Sequence, residues 1–248
     1  MSDTLYAIGD VHGQLAQLET ALMLIEKDGG AEAKTVFVGD LVDSGHDSRR
    51  VIELIMDGLA AGRNWTVLKG NHDRMFDWFM QTPLRQDPHL QIGHSWLHPR
   101  LGGDKTLASY GIDASEGRRL YEVQREAFDA IPPAQIAFLR ALPLTFQHAN
   151  WFFVHAGIRP NIPLSEQFED DLLWIREPFL SYQDRHPFMV VHGHTALDAP
   201  AHFGNRINLD GARHDDALSN VSFPTLQIAS FCFGKDAFCY VPILGVRI

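Results

Sequence analysis

The sequence predicts an α/β protein with two sheets and an inserted, mainly helical cap. Three observations predict it. Short apolar runs of strand length, Leu5-Tyr6-Ala7-Ile8, Thr35-Val36-Phe37-Val38 and Trp65-Thr66-Val67-Leu68, alternate with stretches of helical periodicity. A polar cluster follows each run directly. After a loosely patterned middle, a second group of strand-like runs completes the chain.

Taken in order, the first run feeds Gly9-Asp10-Val11-His12-Gly13. Then Leu15, Leu18, Leu22 and Ile25 recur at helical spacing, so Gln14 to about Asp28 is expected as an amphipathic helix closed by Gly29-Gly30. The second run ends in Gly39-Asp40. A second helix carries Val51, Ile52, Ile55, Met56 and Leu59 and is expected to stop near Gly62. The third run ends in Gly70-Asn71-His72-Asp73. A βαβαβ order implies right-handed crossovers and a parallel sheet, and open α/β sheets place ligands beyond the carboxyl ends of their strands.

From about 82 to 132 the pattern loosens into the expected cap, an insertion in a single domain spanning 1–248. It holds His89, His94 and His98 around Trp96, which read as loop histidines, and then Gly102-Gly103-Asp104-Lys105-Thr106-Leu107-Ala108-Ser109-Tyr110-Gly111. A helix is expected from Pro133 to Ala141. Leu144 to Gln147 and Trp151 to Val154 follow as adjacent strands turning at His148-Ala149-Asn150. The second leads into His155-Ala156-Gly157. Another apolar strand, Phe188 to Val191, ends in His192-Gly193-His194-Thr195. Arg206 to Leu209, Thr225 to Ser230 and Ala237 to Val241 read as strands of a second sheet.

Composition narrows the function. The 248 residues are 45% hydrophobic and 21% charged, ordinary for a globular protein able to bury a real core. A formal net charge of −10 argues against binding a nucleic-acid polymer through phosphate neutralisation. It does not argue against a phosphate substrate, because bound cations invert the local field. Cys232 and Cys239 read as a buried thiol pair rather than a disulfide. With no basic and apolar leader before the first strand and no apolar run of transmembrane length, a cytoplasmic protein without membrane contact is expected.

The residues at the strand ends carry the chemistry. Asp10 and His12, two apart on extended chain, project from one face and can reach a single cation. Asp40, Asn71, His155 and His194 repeat the device. Two carboxylates, an amide oxygen and three imidazoles suit manganese, iron, zinc or cobalt, and lack the thiolates of a structural zinc site. Six side chains leave coordination positions open, and a bridging carboxylate can hold two ions about 3.5–4 Å apart.

Gly9-Asp10-x-His12-Gly13, Gly39-Asp40-x-Val42-Asp43-x-Gly45 and Gly70-Asn71-His72-Asp73, followed by His155-Ala156-Gly157 and Gly193-His194-Thr195, resemble the signatures of the calcineurin-like metallophosphoesterases. The match is closest to the phosphoprotein-phosphatase branch, which also contains bacterial diadenosine tetraphosphate hydrolases. The resemblance implies a two-sheet αββα sandwich and a centre of two divalent metals, manganese first among them. Asp10 and His12 would bind one metal, Asp40 would bridge, and Asn71, His155 and His194 would complete the other. Asn71 and Arg176 would meet the substrate phosphate, with Arg176 pairing with Glu177 as the alternative. His72 would be the general acid, held by Asp43, since an imidazole paired with a carboxylate keeps its proton near neutral pH. A hydroxide held between the metals would attack phosphorus in line. His192 reads as a supporting residue outside the metal ligands.

One departure stands out. Ser44 occupies the place where the family has a phosphate-gripping arginine, and His46 stands where proline is common. Losing a charge-assisted contact costs about 1.5–3 kcal/mol, roughly 10- to 100-fold in rate if it acts in the transition state. Arg49, Arg50, Arg74 or Lys105 could compensate. The expected activity is phosphomonoester hydrolysis of the protein-phosphatase kind, on a phosphorylated protein, peptide or small phosphoester. Hydrolysis of diadenosine tetraphosphate or another nucleotide is the alternative within enzymes. A catalytically weak metal protein that docks phosphorylated partners is the alternative outside them.

Overall fold

The computed structural model describes residues 3–211, 228–233 and 238–243, with the backbone alone described for residue 3 and the last two stretches. The expected βαβαβ unit opens the fold: β1 (Asp3–Ile8), α1 (Leu15–Gly29), β2 (Lys34–Phe37), α2 (Ser48–Ala60) and β3 (Trp65–Val67). β1 pairs parallel with β2, and β2 with β3. Helix α3 (Asn71–Phe79) begins directly behind β3. α4 (Gly103–Ser109), α5 (Leu120–Ala130) and α6 (Pro133–Ala141) follow.

The second sheet is built from β4 (Thr145–His148), β5 (Trp151–Val154), β6 (Met189–His192), β7 (Ala201–His202) and β8 (Arg206–Asn208), in the order β4-β5-β6-β8-β7. A short helix, α7 (Glu169–Trp174), lies between β5 and β6. The final strands, β9 (Ile228–Phe233) and β10 (Phe238–Ile243), do not join this sheet, contrary to expectation. β9 pairs antiparallel with the free edge of β1 and β10 pairs with β9, giving the first sheet the order β10-β9-β1-β2-β3. Apolar runs show that a strand will be buried but not which edge it completes, and β1 offered an unpaired edge. Thr225 to Gln227 and Ala237 lie outside the described residues. So does the expected burial of the Cys232 and Cys239 thiols, although the two are Cα partners across β9 and β10.

The alternation of side chains explains the layering. Leu5 and Ala7 of β1 join Val36, Val38, Trp151, Phe153, Val191 and Ile207 in a core between the sheets. Tyr6 and Ile8 point the other way, into the helices with Leu18, Ile25, Ile52 and Ile55. Phe152, Val154 and Val190 face outward from the second sheet onto Leu172, Ile175 and Phe179. The result is the αββα sandwich. Ile52 and Ile55 are fully buried, and truncating either to alanine removes about 2–5 kcal/mol.

Residues of the expected cap enter the same helical-layer core. Trp96, Leu107, Tyr110, Ile112, Val123 and Ala127 cluster with Val51, Phe76 and Phe79. Trp96 stacks on Phe76 with ring centroids 5.1 Å apart. Among the described residues no helix is long and apolar enough to cross a membrane.

Candidate active site

The carboxyl ends of β1, β2, β3, β5 and β6 meet along one edge of the sandwich, and each releases one part of the polar cluster. Asp10, His12, Asp40, Asn71 and His155 are all buried there. Local backbone shape is unusual at this edge. His12, Asp40, Asp43, Ser44 and His194 have φ between 46° and 73°, a left-handed region disfavoured for such residues. Strain of this sort persists only where surrounding structure enforces it, and it concentrates at functional sites. Two glycines allow the close approach. A Cβ on Gly193 would lie 1.9 Å from Asp10 Oδ1, and one on Gly70 would lie 2.0 Å from Asp40 Oδ1.

Helix α3, for which no element was expected from the sequence, organises the middle of the cluster. Asn71 is its first residue, and the His72 backbone N–H donates to Asp40 Oδ1 at 2.9 Å. An unpaired helix N-terminal amide is a natural partner for a carboxylate. Asp73 closes the turn, accepting from Gly70 N at 2.8 Å and from Leu41 N at 2.9 Å. The helical signal was present, since Met75, Phe76, Phe79 and Met80 are all buried at helical spacing.

The imidazoles are oriented by backbone carbonyls. His155 Nδ1 donates to Val38 O at 3.0 Å, and His12 Nδ1 to Val42 O at 2.9 Å, because a carbonyl can only accept. Burial pushes the His155 pKa down to about 3, so its Nε2 is a bare lone pair. That lone pair faces Asn71 Oδ1 at 2.8 Å and Asp40 Oδ2 at 3.4 Å. His12 Nε2 lies 3.6 Å from Asp40 Oδ2. His194 Nδ1 is 3.0 Å from Asn71 Oδ1, and its backbone N–H reaches Asp10 Oδ2 at 3.1 Å. Among the described residues, the buried His194 Nε2 has no hydrogen-bond partner. Burial, then the neighbouring His155 and Arg176, holds this ring well below the usual imidazole range.

The carboxylates are crowded in the same way. Burial lifts Asp10 well above the usual carboxylate range, and the charges of Asp210 and Asp40 add to it. Burial and then Asp73 do the same to Asp40. Asp73 itself is raised by burial to about 7. Buried acceptors turned on one another, with neutral imidazoles and an orphaned ring nitrogen, are what a cation would satisfy. One donor atom each from Asp10, Asp40 and His155 lies within 4.8 Å of the others, and so does one each from His12, Asp40 and His72. The donor set therefore fits divalent metal ions.

His72 stands beside this cluster with its Nδ1 donating to Asp43 Oδ2 at 2.6 Å. Its ring meets that of His12 edge-on at 4.9 Å. Asp43 is fully buried and takes further donors from Trp96 Nε1 at 2.8 Å and Thr106 Oγ1 at 2.7 Å. Neither Trp96 nor Thr106 belongs to a strand-end motif, and neither does Asp210, whose charge acts on Asp10, or Asn208, whose amide donates to Thr195 O at 2.6 Å beside His194.

Arg176 is exposed, and its charge helps to depress both His155 and His194. It forms no ion pair with Glu177 among the described residues; Glu177 accepts instead from Ser181 Oγ. Two of the cations considered as replacements for the missing arginine are committed elsewhere. Buried Arg74 binds Asp87 at 2.7 Å and Asp170 at 2.6 Å, and Arg49 pairs with Glu53. Ser44 is buried against the cap, where a Cβ on Gly102 would lie 2.2 Å from Ser44 N. His192 donates from Nδ1 to Gly193 O at 2.9 Å and accepts at Nε2 from Arg206 at 3.2 Å, so both ring nitrogens are used in support. His89 binds Asp87 and stacks on Trp174, while His94 and His98 stack on each other.

Similarity to known proteins agrees with this geometry. An asymmetrical bis(5'-nucleosyl)-tetraphosphatase of Bacillus mycoides is 24% identical over 254 residues, covering 90% of this chain and 92% of that one. A symmetrical bis(5'-nucleosyl)-tetraphosphatase of Bordetella parapertussis is 38% identical over 159 residues, 64% of this chain and 45% of that one. The crystal structure of a chain provisionally assigned as a diadenosine tetraphosphatase superposes with a TM-score of 0.61 at 22% identity, covering 96% of this chain and 93% of that one. The profile of the calcineurin-like phosphoesterases matches residues 4–226, spanning every strand end that contributes to the cluster. The chain therefore belongs to the calcineurin-like phosphoesterase family.

Proposed function

We propose that this chain hydrolyses phosphomonoesters with two divalent cations, manganese ahead of iron, zinc and cobalt. The observation that carries the proposal is the convergence of His155 Nε2, Asn71 Oδ1 and Asp40 Oδ2, buried together at 2.8 and 3.4 Å from the imidazole nitrogen. Asp10, His12 and Asp40 would hold one ion, and Asp40, Asn71, His155 and His194 the other. Bound there, the cations would neutralise charge on phosphoryl oxygens and make a water molecule more acidic.

The chain's own residues supply the rest. Arg176, with no ion pair to Glu177 and with its charge acting on both imidazoles of the second set, would bind the phosphoryl group together with Asn71. His72 would deliver its proton to the departing oxygen. Water adds to phosphorus, the bond from phosphorus to the leaving oxygen breaks, and that oxygen takes the proton from His72; the proton given up by water restores the imidazole. Asp43 keeps the imidazole aimed throughout.

The His72–Asp43 pair favours an alcohol as leaving group. An alkoxide is a poor leaving group and needs a proton as it departs, whereas the phosphate leaving group of a dinucleotide polyphosphate hardly does. A phosphorylated protein, peptide or small phosphoester therefore fits best. Hydrolysis of dinucleoside polyphosphates is the second reading, favoured by the names of the two curated relatives. Catalytic efficiencies on phosphopeptides, phosphotyrosine, nucleotides and diadenosine tetraphosphate, with manganese present, separate the two. A preference for the dinucleotide over every monoester overturns the first. No turnover of p-nitrophenyl phosphate alongside two tightly bound metals would overturn the enzyme reading altogether, leaving a protein that docks phosphorylated partners.

A further inference from the structure

The buried carboxylate of Asp43 is gripped from the insertion as well as from the dyad. Trp96 Nε1 donates to Oδ2, the same oxygen that takes His72, and Thr106 Oγ1 donates to Oδ1. The Thr106 hydroxyl also accepts from the Asp43 backbone N–H at 2.8 Å. Its one proton is thus spent on Oδ1, and Ser48 Oγ, 3.0 Å away, must be the donor of their shared bond. One hydroxyl pins both the backbone and the side chain of Asp43. Trp96 reaches the other partner as well: its ring stacks at 5.1 Å on Phe76, one turn along α3 from His72, and lies 5.0 Å from Phe79. Gly103 lets the α4 end come close, since a Cβ there would lie 2.5 Å from the Trp96 ring.

A buried carboxylate needs donors merely to be tolerated. Satisfaction alone, however, does not require the second partner to share an oxygen with the imidazole, or to pack on the helix that carries the imidazole. We infer that Trp96 and Thr106 are positioning residues for proton delivery. They fix the rotation of the Asp43 carboxylate, and through it the aim of His72, so that the insertion from 82 to 132 sets the angle at which the proton meets the leaving group. Freed of either donor, the carboxylate can rotate, and His72 turns with it. This rests on the hydrolase reading given above.

The test uses leaving groups of different quality on the manganese-loaded enzyme. Phenyl phosphate needs a proton on its departing oxygen; 2,4-dinitrophenyl phosphate does not. In Trp96→Phe, which keeps the stacking and deletes the donor, and in Thr106→Val, kcat on phenyl phosphate is expected to fall about tenfold further than kcat on the dinitrophenyl ester. KM for the two esters is expected to change in parallel. Thr106→Ser, which returns the hydroxyl, is expected to restore the wild-type ratio. In the metal-free protein, the downfield proton resonance of His72 Nδ1–H is expected to move in both donor-deleting variants and return in Thr106→Ser.

An equal fall on both esters, or no movement of that resonance, would overturn the positioning role while leaving the hydrolase reading intact. A wild-type enzyme that turns over neither ester overturns the hydrolase reading and this inference with it. Should Trp96→Phe fail to fold, the two Thr106 variants decide the matter alone.

Discussion

His72 Nδ1 and Asp43 Oδ2 meet at 2.6 Å across 29 residues of sequence, with Asp43 fully buried and His72 at the rim of the metal-fitting cluster. A charge-assisted bond of that length holds an imidazole ring in one orientation. His72→Asn is expected to lower kcat on phenyl phosphate by about 10²- to 10⁴-fold. The loss on 2,4-dinitrophenyl phosphate should be much smaller. Steady-state kinetics on the two esters check it; equal losses would show that His72 does not donate the proton.

Asp40 sits between both sets of candidate ligands, and Gly193 guards the space around Asp10. Asp40→Asn is expected to reduce bound metal from two ions to one or none, read by elemental analysis after dialysis. Gly193→Ala places a Cβ 1.9 Å from Asp10 Oδ1 and is expected to weaken metal binding at least about tenfold without replacing a ligand. Calorimetric titration with manganese would expose the error if affinity stayed at the wild-type value.

Metal and pH should be linked in a definite direction. Asp10 and Asp40 have folded pKa values raised by burial above the ordinary aspartate value of 3.8. Their protonated forms favour the metal-free fold, a contribution present below pH 3.8 and lost as pH rises through the raised values. Neutral His155 works the other way, its folded pKa of about 3 lying below the unfolded 6.5, and its contribution is complete above pH 6.5. Above pH 6.5, therefore, the metal-free protein should lose stability as pH rises through about 7, the value to which Asp73 is raised, with the raised Asp10 and Asp40 acting in the same direction. Manganese at about 100 times its Kd should add about 2.7 kcal/mol. Melting curves with chelator and with manganese are expected to diverge as pH rises; a constant gap would contradict the argument.

Ser44 offers a neutral hydroxyl where a cation would grip phosphate, and Arg74 and Arg49 are tied to other acids. Ser44→Arg is expected to raise kcat/KM on phosphomonoesters by up to about 10- to 100-fold. The residue already holds φ of 60°, so the substitution adds no new backbone demand. A large loss would instead mark Ser44 as part of a specialised site.

Arg176 is exposed and without an ion pair to Glu177, while its charge is felt at His155 and His194. Arg176→Ala should cost about 1.5–3 kcal/mol in kcat/KM, with metal stoichiometry unchanged. Arg176→Lys should recover only part, since a point charge cannot copy a fork of donors. An unaffected kcat/KM would return Arg176 to the surface.

The sequence by itself determined the sandwich's first half and the roll of candidate ligands. Apolar runs of four residues followed by Asp or Asn recur with helical stretches between them, and that order fixes parallel strands with their carboxyl ends together. Asp10, His12, Asp40, Asn71, His155 and His194 were legible for this reason: each stands within a few residues of a strand end. Only the tertiary structure decided what is not local. Helix α3 opens on a polar turn that the sequence shows only as part of the ligand cluster, and folding turns that segment into the helix whose first amides position Asp40. Strands β9 and β10 carry the same apolar pattern whichever sheet they join, so the edge of β1 made the choice. Trp96 and Thr106 lie in an insertion without periodicity. Their hold on Asp43 spans 53 and 63 residues and arises from packing on Phe76 and from a buried carboxylate's need for donors, neither of which spacing along a chain can express.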